Sequence, residues 1–531
     1  MNNKLIFWAI TCALAGFIFG FDLVVISGAE QSIERLWDLS PSAHGWAMSS
    51  AIWGTVIGSL LGGIPTERFG RKKTLASIGI LYFVSALWSA TAGGFASFMV
   101  ARVIGGIGVG VATVAAPVFI AEISPARRRG LLTGLFQFNI VFGLLAATLS
   151  NAFINSLELE NAWRWMMGVE ALPAIIYSVL CFTLPESPRW LIDQGRVDEG
   201  KAVLAQINPE MDAAQIDELS ASIKASSDEE KARSADRTGF DFKKLRLPIM
   251  LAFLVAFFNQ LSGINAILSF APRIFGMTGI DGSASLFYAS LTTLVNLLFT
   301  FVGLYFIDRL GRRTLLYIGS FGYIISLGIC AWAFSTYKAP FDVAAQALSF
   351  KNAAVAIEDP NLTEAKRARV AEDLAKSRTE LTAVSQAEKY TGQAVIIPEN
   401  GTSEENVKIA DSMLEDAANQ AGAGSTIVLI CILGFIAAHA VGQGTVIWVL
   451  ISEVFPNRAR AFGQSLGGGT HWVFAALLVL LFPIMMAKFS AAALFGFFCF
   501  MMVLHLVWVH FMVPETKGAT LEELEERLGT R

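Results

Sequence analysis

Three ionisable residues lie in long stretches of otherwise uncharged sequence and are the first candidates for chemistry. Asp22 is the only charged residue in 5–29, Arg102 is the only one in 89–121, and Glu170 lies in a third apolar stretch. A charge at the centre of a membrane helix costs about 2.5–3.5 kcal/mol, and an unpaired buried charge is worse than a paired one. We therefore expect Asp22 and Arg102 to meet. A carboxyl beside an arginine could carry a proton if water reaches it alternately from the two sides of the membrane. The alternative interpretation of Asp22 is a structural acid near a helix end.

The stretches that hold these residues are long enough to cross a bilayer, which takes roughly 20 apolar residues. Of the 531 residues, 54% are hydrophobic and 16% are charged, whereas soluble domains carry about 25% charged residues. Apolar runs predict twelve spans, at 5–29, 46–66, 74–92, 97–121, 131–154, 164–184, 247–275, 283–307, 314–337, 425–452, 462–487 and 490–512. The predicted fold is an all-α membrane protein.

Nothing in the sequence indicates an enzyme. No nucleotide-binding loop or nucleophile–base motif stands out, and the cysteines all lie in apolar runs, as Cys12, Cys181, Cys330, Cys431 and Cys499. We interpret them as buried or lipid-facing thiols, not as disulfides or metal ligands. We predict no cofactor, no metal site and no nucleic-acid partner.

Short basic loops predict the orientation. One side carries Arg68, Arg71, Lys72, Lys73, Arg127, Arg128, Arg129, Arg309, Arg312, Arg313, Arg458 and Arg460, and the short loops of the other side are nearly free of Lys and Arg. Because cytoplasmic loops carry the positive excess, both termini and segment 185–246 are predicted to be cytoplasmic, and segment 338–424 to be external. The first helix is predicted to be retained and not cleaved as a signal peptide.

The two halves of the chain repeat one another. The stretch 62–72 recurs as 303–313, with glycine, acid and basic residues aligned, and Pro185-Glu186-Ser187 recurs as Pro514-Glu515-Thr516. The offset between halves grows by about 90 residues, which matches the polar segment 338–424 in position and size. Parallel repeats of six spans are the plan of a major-facilitator transporter, with its site at the midplane between the halves.

The repeat and the polar segments predict the domain organisation. We assign 1–184 and 247–513 to two six-helix bundles, 185–246 to a linker of short cytoplasmic helices, and 514–531 to a cytoplasmic tail. Segment 338–424, rich in Ala, Glu and Lys, is predicted to form soluble helices on the external mouth. Its role is open.

The motifs resemble the sugar porter family of major-facilitator transporters, close to the bacterial sugar–proton symporters. The matching pieces are 62–73 and its repeat, Pro117–Glu122, Pro185–Leu191, Gln260–Asn265 and Pro514–Gly518. The resemblance implies a monosaccharide importer in the cell membrane, most simply a bacterial inner membrane. It implies that the protein works by alternating access, without a cofactor and as a functional monomer. It implies that Asp22, Arg102 and Glu170 couple transport to protons.

The resemblance also assigns a set of residues to gating. They are expected to form pairs at the inner helix ends that break as the halves rock, without touching the substrate: Glu67, Arg68, Arg71, Glu122, Arg127, Glu186, Asp308, Arg309, Arg312, Glu453, Arg458 and Glu515.

A sugar needs paired donors and acceptors and flat apolar faces, which amides and aromatic rings supply. Candidates that match sugar-contacting positions of the family are Phe19, Gln137, Gln260, Asn265, Asn296, Trp448 and Trp472, and His471 is a further candidate. A lone amide in a membrane helix is equally compatible with a structural contact between helices. His471 replaces an amide of the family, and it either contacts the sugar or binds a proton.

Two other functions stay open at this point. A facilitative uniporter would have the same fold without proton coupling. A non-transporting sugar sensor would bind sugar without flux, although complete gating motifs in both halves argue against it.

Overall fold

The computed structural model describes residues 3–125, 129–235, 242–358, 364–392, 394–456, 459–518 and 521–528. Every regular element in these ranges is a helix, so the predicted all-α class is confirmed. Arg127 and Arg458, both predicted to act in gating, lie outside the described residues.

The first half is built from the helices that carry the predicted spans one to six. They are α1 (Asn3–Trp37), α2 (Pro41–Leu61), α3 (Gly63–Arg68), α4 (Arg71–Thr91), α5 (Phe95–Ile123), α6 (Arg129–Ser156), α7 (Ala162–Gly168) and α8 (Ala171–Cys181). Helix α1 continues eight residues beyond the predicted end at Ala29. Asp22 therefore lies near the middle of the helix and not near its end, contrary to the alternative considered from the sequence.

The second half begins after three short helices of the linker, α9 (Pro188–Asp193), α10 (Val197–Ile207) and α11 (Ala213–Ala235). Its own helices are α12 (Arg246–Leu261), α13 (Ile264–Ser269), α14 (Ala271–Gly276), α15 (Gly282–Leu310), α16 (Arg312–Thr336), then α17 (Lys338–Ala356), α18 (Glu364–Ser385) and α19 (Ser403–Ala421), and finally α20 (Gly424–Val441), α21 (Gln443–Val454), α22 (Arg460–Lys488), α23 (Ala491–Met512) and α24 (Leu521–Arg527).

Among the described residues, eleven helical segments are long and apolar enough to cross a membrane. The predicted second span, α2, does not meet that criterion by itself. It buries His44, Ser49, Ser50 and Thr55, and it packs between α5 and α22. Because neighbouring helices cover its polar side chains, α2 needs less apolar surface than a lipid-facing helix. The arrangement remains consistent with twelve spans in two halves.

Two helix breaks in the second half position polar groups inside the protein. Gly263 adopts φ +91° between α12 and α13, a left-handed conformation that glycine reaches without steric cost. The break leaves Gln260 and Asn265 on consecutive short helices, facing one another. A second break at Gly442 separates α20 from α21, and the Thr445 hydroxyl donates to the Ala440 carbonyl at 2.6 Å.

The halves meet along two helix pairs, α2 with α22 and α6 with α15. Across the second pair the hydroxyls of Thr148 and Thr293 are hydrogen-bonded at 2.7 Å. Asn155 also donates its amide N–H to the Ser283 hydroxyl at 3.1 Å. These contacts hold the two halves together on the side that faces away from Arg71.

The insertion forms a helical unit with a core of its own, as expected. Helices α17, α18 and α19 enclose the buried side chains Val343, Ala347, Phe350, Leu381, Ala410, Met413 and Ala417. Arg369 of α18 pairs with Asp38, which follows α1, at 2.9 Å. Ala344 of α17 lies against Gly279, the residue at which an added Cβ would be 2.4 Å from the Ala344 Cβ. The insertion therefore lies against loops of both halves.

Candidate functional site

The predicted contact between Asp22 and Arg102 is present. The Arg102 guanidinium pairs with the Asp22 carboxylate through Nη1 and donates from Nη2 to the Asp22 backbone carbonyl at 3.1 Å. The two residues are 3% and 1% exposed, so the pair is almost completely shielded from solvent. Helices α1 and α5 are joined here by a buried charge pair, and loss of one partner from such a pair is strongly destabilising.

Glu170 joins this pair. It lies at the junction between α7 and α8, is buried, and interacts electrostatically with both Asp22 and Arg102. Its Oε1 atom makes no hydrogen bond with a described residue. Tyr82 of α4 is buried beside both carboxyls, with its hydroxyl likewise unpartnered among the described residues. Sequence reasoning missed Tyr82, although a phenol inside an apolar span was the available signal.

A small internal cleft leads to the charge pair. Phe19, Asp22, Ile26, Met48 and Arg102 are among its lining residues. Asp22 thus shares one cavity with Phe19, which lies on the same face of α1 three residues earlier.

The predicted sugar-binding residues of α12, α13 and α22 are brought together in one polar group. The Gln260 amide donates to the Asn259 side-chain oxygen at 2.9 Å and lies 3.1 Å from Nδ1 of His471. Asn265 donates to the Gln260 oxygen at 2.7 Å. This chain of amides and imidazole joins residues 211 positions apart and offers both donors and acceptors.

Aromatic rings border the polar group. Phe19 of the first half meets Trp472 of the second half edge to face, with ring centroids 5.5 Å apart. His471 lies 5.1 Å from the Trp448 ring and 4.8 Å from the Trp472 ring. Amide groups bordered by indole and phenyl faces are the surroundings that a small polyol with apolar C–H faces requires.

Gln137 and Asn296 are not joined to this group. They lie on α6 and α15, which pack on one another, with Gln137 half-buried and Asn296 buried. Neither side-chain amide hydrogen-bonds to another residue in the described ranges. Sequence reasoning also missed His439, whose Nδ1 lies 2.7 Å from the Tyr323 hydroxyl behind the polar group.

The gating residues of the first half form a compact clamp. Arg71 donates from Nε and Nη2 to the two oxygens of Glu122, at 3.0 and 2.9 Å. The backbone N–H groups of Arg71 and Lys72 donate to one oxygen of Glu186, at 2.8 and 3.1 Å. Three sequence-distant segments are thus joined at one helix start.

The second half repeats this clamp. Arg312 donates to Glu453 at 3.1 and 2.8 Å, and the N–H groups of Arg312 and Arg313 donate to Glu515 at 2.9 and 3.1 Å. Thr516 adds a hydrogen bond to Glu453 at 2.6 Å. We call these two arrangements, Arg71–Glu122–Glu186 and Arg312–Glu453–Glu515, the twin clamps.

The other predicted gating residues are more exposed. Asp308 pairs with Arg312 at 3.0 Å, although its side chain is 81% exposed. Arg309 stacks on the ring of Tyr305 and Arg68 on that of Phe69. Glu67 is exposed and pairs with no cation in the described part of the chain, while its carbonyl accepts the Trp190 indole N–H at 2.7 Å.

Sequence reasoning missed a charged cluster at the end of α1. Arg273 of α14 donates from Nε and Nη2 to Glu30 at 3.0 and 2.8 Å and also pairs with Glu34. His44 of α2 lies 3.2 Å from Glu30 and 3.5 Å from Glu34. This Glu30–Glu34–His44–Arg273 cluster joins the two halves at the end of α2 that lies away from the twin clamps. The signal available in the sequence was the pair of acids one helical turn apart.

Two six-span halves, a polar group between them and paired clamps at one end define a secondary transporter of the major-facilitator class. The sequence profile of the "Sugar (and other) transporter" family matches residues 8–352 and 409–528. The chain belongs to this family, and it is a transporter and not an enzyme.

Individual relatives are similar over nearly the whole chain. The glucose transport protein of Synechocystis is 29% identical, over 96% of this chain and 95% of the relative. The D-xylose–proton symporter of Escherichia coli K12 is also 29% identical, over 99% and 96%. The solved inward open conformation of the E. coli xylose transporter XylE matches with a TM-score of 0.69 and 27% identity, over 98% of each chain.

Proposed function

We propose that the protein imports a monosaccharide together with a proton across the cell membrane by alternating access. The relatives include a named sugar–proton symporter that aligns over almost the full chain. The proposal places the protein in a bacterial inner membrane as a functional monomer with both termini in the cytoplasm. Within it, 1–184 and 247–513 act as the two moving bundles, with 185–246 and 514–531 on the cytoplasmic side and 338–424 outside.

The coupling group is Asp22, Arg102 and Glu170. Two carboxylates and one guanidinium carry a net charge of −1, so one added proton makes the buried group neutral. Arg102 is directed at Asp22, and Glu170 interacts with both residues while its Oε1 atom makes no hydrogen bond within the described residues. Protonation of Asp22 would free Arg102 to turn toward Glu170, and this exchange changes the contact between α1 and α5.

The sugar lies against Gln260, Asn265 and His471, with Phe19, Trp448 and Trp472 covering its apolar faces. The donors and acceptors of the polar group now satisfy one another, so sugar hydroxyls replace these internal bonds when they bind. Gln137 and Asn296, whose amides are unpaired within the described residues, complete the site from α6 and α15. Because the sugar must replace the internal hydrogen bonds, the site favours ligands whose hydroxyls can pair with all the donors and acceptors of the polar group.

One observation carries the link between proton and sugar. Asp22 and Phe19 lie on one face of α1 and line one cleft, and Phe19 contacts Trp472 across the two halves. A change in the charge pair therefore moves the helix that also forms one wall of the sugar site.

The twin clamps and the Glu30–Glu34–His44–Arg273 cluster act at opposite ends. The cluster, which crosses the interface between halves, closes the outer mouth in this conformation. Arg68 and Arg309 extend the charged rim at the clamp end. Arg127 and Arg458, which lie outside the described residues, are proposed to act in gating with them. Opening outward requires Arg273 to leave Glu30, and opening inward requires the clamp ends to separate.

The test uses proteoliposomes with purified protein and an imposed proton gradient. We expect glucose or xylose to accumulate above its external concentration, and a pH electrode outside to record alkalinisation when sugar is added. Equilibration of the sugar without proton movement would establish a uniporter and overturn the coupling. Retained sugar binding without flux would overturn transport itself.

A further inference from the structure

The Glu30–Glu34–His44–Arg273 cluster contains a ligand set for a metal ion. One ligand atom each from Glu30, Glu34 and His44 can be chosen so that all three lie within 4.8 Å of one another. Glu30 and His44 are 0% and 1% exposed. All three ligands belong to the first half, on α1 and α2, and only Arg273 comes from the second half.

His44 gives an independent indication of a ligand. Its two buried ring nitrogens point at two different carboxylates, with Nε2 3.2 Å from Glu30 and Nδ1 3.5 Å from Glu34. Ligand atoms on a tetrahedral zinc lie about 3.4 Å apart, given bonds of about 2.0–2.1 Å. The nearest imidazole and carboxylate atoms, 3.2 Å apart, already have this spacing.

Arg273 now occupies the place that a cation would take. Its Nη2 atom binds the same Glu30 oxygen that lies 3.2 Å from His44 Nε2. A metal ion and the guanidinium would therefore compete for one oxygen. Separation of the halves at this end removes Arg273 and leaves two carboxylates and an imidazole together, with uncompensated negative charge.

We propose that Glu30, Glu34 and His44 form an external binding site for a divalent transition-metal ion, which becomes accessible when Arg273 withdraws. An imidazole with two carboxylates suits zinc and its neighbours better than calcium or magnesium, which prefer all-oxygen sites. The ion binds only the state in which the halves are apart at this end. By linkage it holds the protein in that state and slows the transport cycle from outside.

Zinc titration of the purified, chelator-treated protein tests the site without sugar or a proton gradient. We expect isothermal titration calorimetry to give one zinc ion per chain, with affinity at least tenfold lower in His44→Gln and in Glu34→Gln. Calcium should give no comparable heat. His510→Gln, which changes an exposed histidine at the other end of the molecule, should bind zinc as the wild type does.

Substitution of the competing arginine should change zinc affinity in the opposite direction to substitution of a ligand. Arg273→Gln should raise zinc affinity at least threefold, and Arg273→Lys, whose single amine cannot hold both carboxylates in the same way, should shift it in the same direction. Thermal unfolding without metal checks that each variant is folded. Equal zinc affinity in wild type and folded His44→Gln, or weaker binding in both arginine variants, would overturn the proposal.

Access to the site from outside the membrane rests on the proposed alternating access. Purified protein, in contrast, should bind zinc even if it does not transport sugar. External zinc should inhibit sugar uptake by vesicles, and His44→Gln should need at least tenfold more zinc for the same inhibition. Zinc binding without any sugar uptake would overturn the transport proposal alone. Uptake that is equally zinc-sensitive in both proteins would overturn the metal site alone.

Discussion

Phe19 and Trp472 meet edge to face across the interface of the two halves, with ring centroids 5.5 Å apart. Phe19 is one helical turn from Asp22, whose carboxylate is paired with Arg102. One face of α1 therefore contacts both the charge pair and the second half. This relationship makes α1 the element through which protonation and sugar binding affect each other.

Replacing Asp22 with Asn should abolish uphill sugar uptake while leaving sugar exchange measurable. The amide keeps the shape but cannot take up a proton, and Arg102 then has Glu170 as its remaining carboxylate. The measurement is sugar accumulation in proteoliposomes under a proton gradient, beside counterflow without one. Asp411→Asn, an exposed substitution in the insertion, is the matched control. Concentrative uptake by folded Asp22→Asn would refute the assigned role.

Replacing Gly70 or Gly311 with Ala should destabilise the protein at both sites. Gly70 and Gly311 have φ +91° and +92° with ψ 164° and 163°, a region essentially restricted to glycine, where a side chain costs about 1–3 kcal/mol. An added Cβ would also lie 2.3 Å from a Glu186 oxygen and 2.5 Å from a Glu515 oxygen. We expect a lower thermal midpoint in detergent for both variants.

Gly63→Ala is the matched control for these substitutions. A Cβ at Gly63 has no neighbouring atom within 4 Å, and the backbone there is helical. Its thermal midpoint should stay at the wild-type value. A drop as large as that of Gly70→Ala would mean that the clamp geometry is not the cause.

Neutralising one acid in either clamp should lower the free energy of unfolding by a similar amount. Glu122→Gln and Glu453→Gln each lose charge-assisted bonds to an arginine, at a cost of roughly 1.5–3 kcal/mol. Because the clamps share no partner, the double variant should lose approximately the sum. Thermal unfolding measures the effect, and Glu404→Gln in an exposed pair with Lys408 should change it little. An unchanged thermal midpoint in Glu453→Gln, beside a lowered midpoint in Glu122→Gln, would contradict the prediction that the two clamps contribute equally.

Gln260→Ala should weaken sugar binding at least tenfold. The substitution removes the central amide and leaves the Asn265 amide without its acceptor. Equilibrium binding of radiolabelled sugar to the purified protein measures the loss. Gln346→Ala in the insertion serves as a control for a glutamine distant from the site, and an unchanged sugar affinity in Gln260→Ala would exclude this amide from the site.

Elementary energetics and repetition made part of this site predictable. A lone acid and a lone arginine in apolar runs each need a partner, and Asp22 and Arg102 are indeed paired. The internal repeat aligns Arg71 of the first half with Arg312 of the second. The contacts with Glu122 and Glu453 follow that alignment.

Contacts that depend on helix breaks or on the closure of the halves were beyond sequence reasoning. The extension of α1 to Trp37 carries Glu30 into a buried position and Glu34 into a half-buried one, and hydropathy gave no reason to place acids there. The contact of Glu30 with Arg273 spans 243 positions and exists only where the halves come together. Likewise, the hydrogen bond of Asn265 with Gln260 is made across the break at Gly263.

The matching backbone conformations of Gly70 and Gly311 indicate a common origin of the two halves. The two halves have diverged through most of their sequence, and one of them has acquired an insertion with a hydrophobic core of its own. Both nevertheless keep a left-handed glycine under a carboxylate, at φ +91° and +92°. The simplest origin is one ancestral six-helix unit that already carried this turn before its gene was duplicated, so the clamp is older than the two-fold transporter that now contains it.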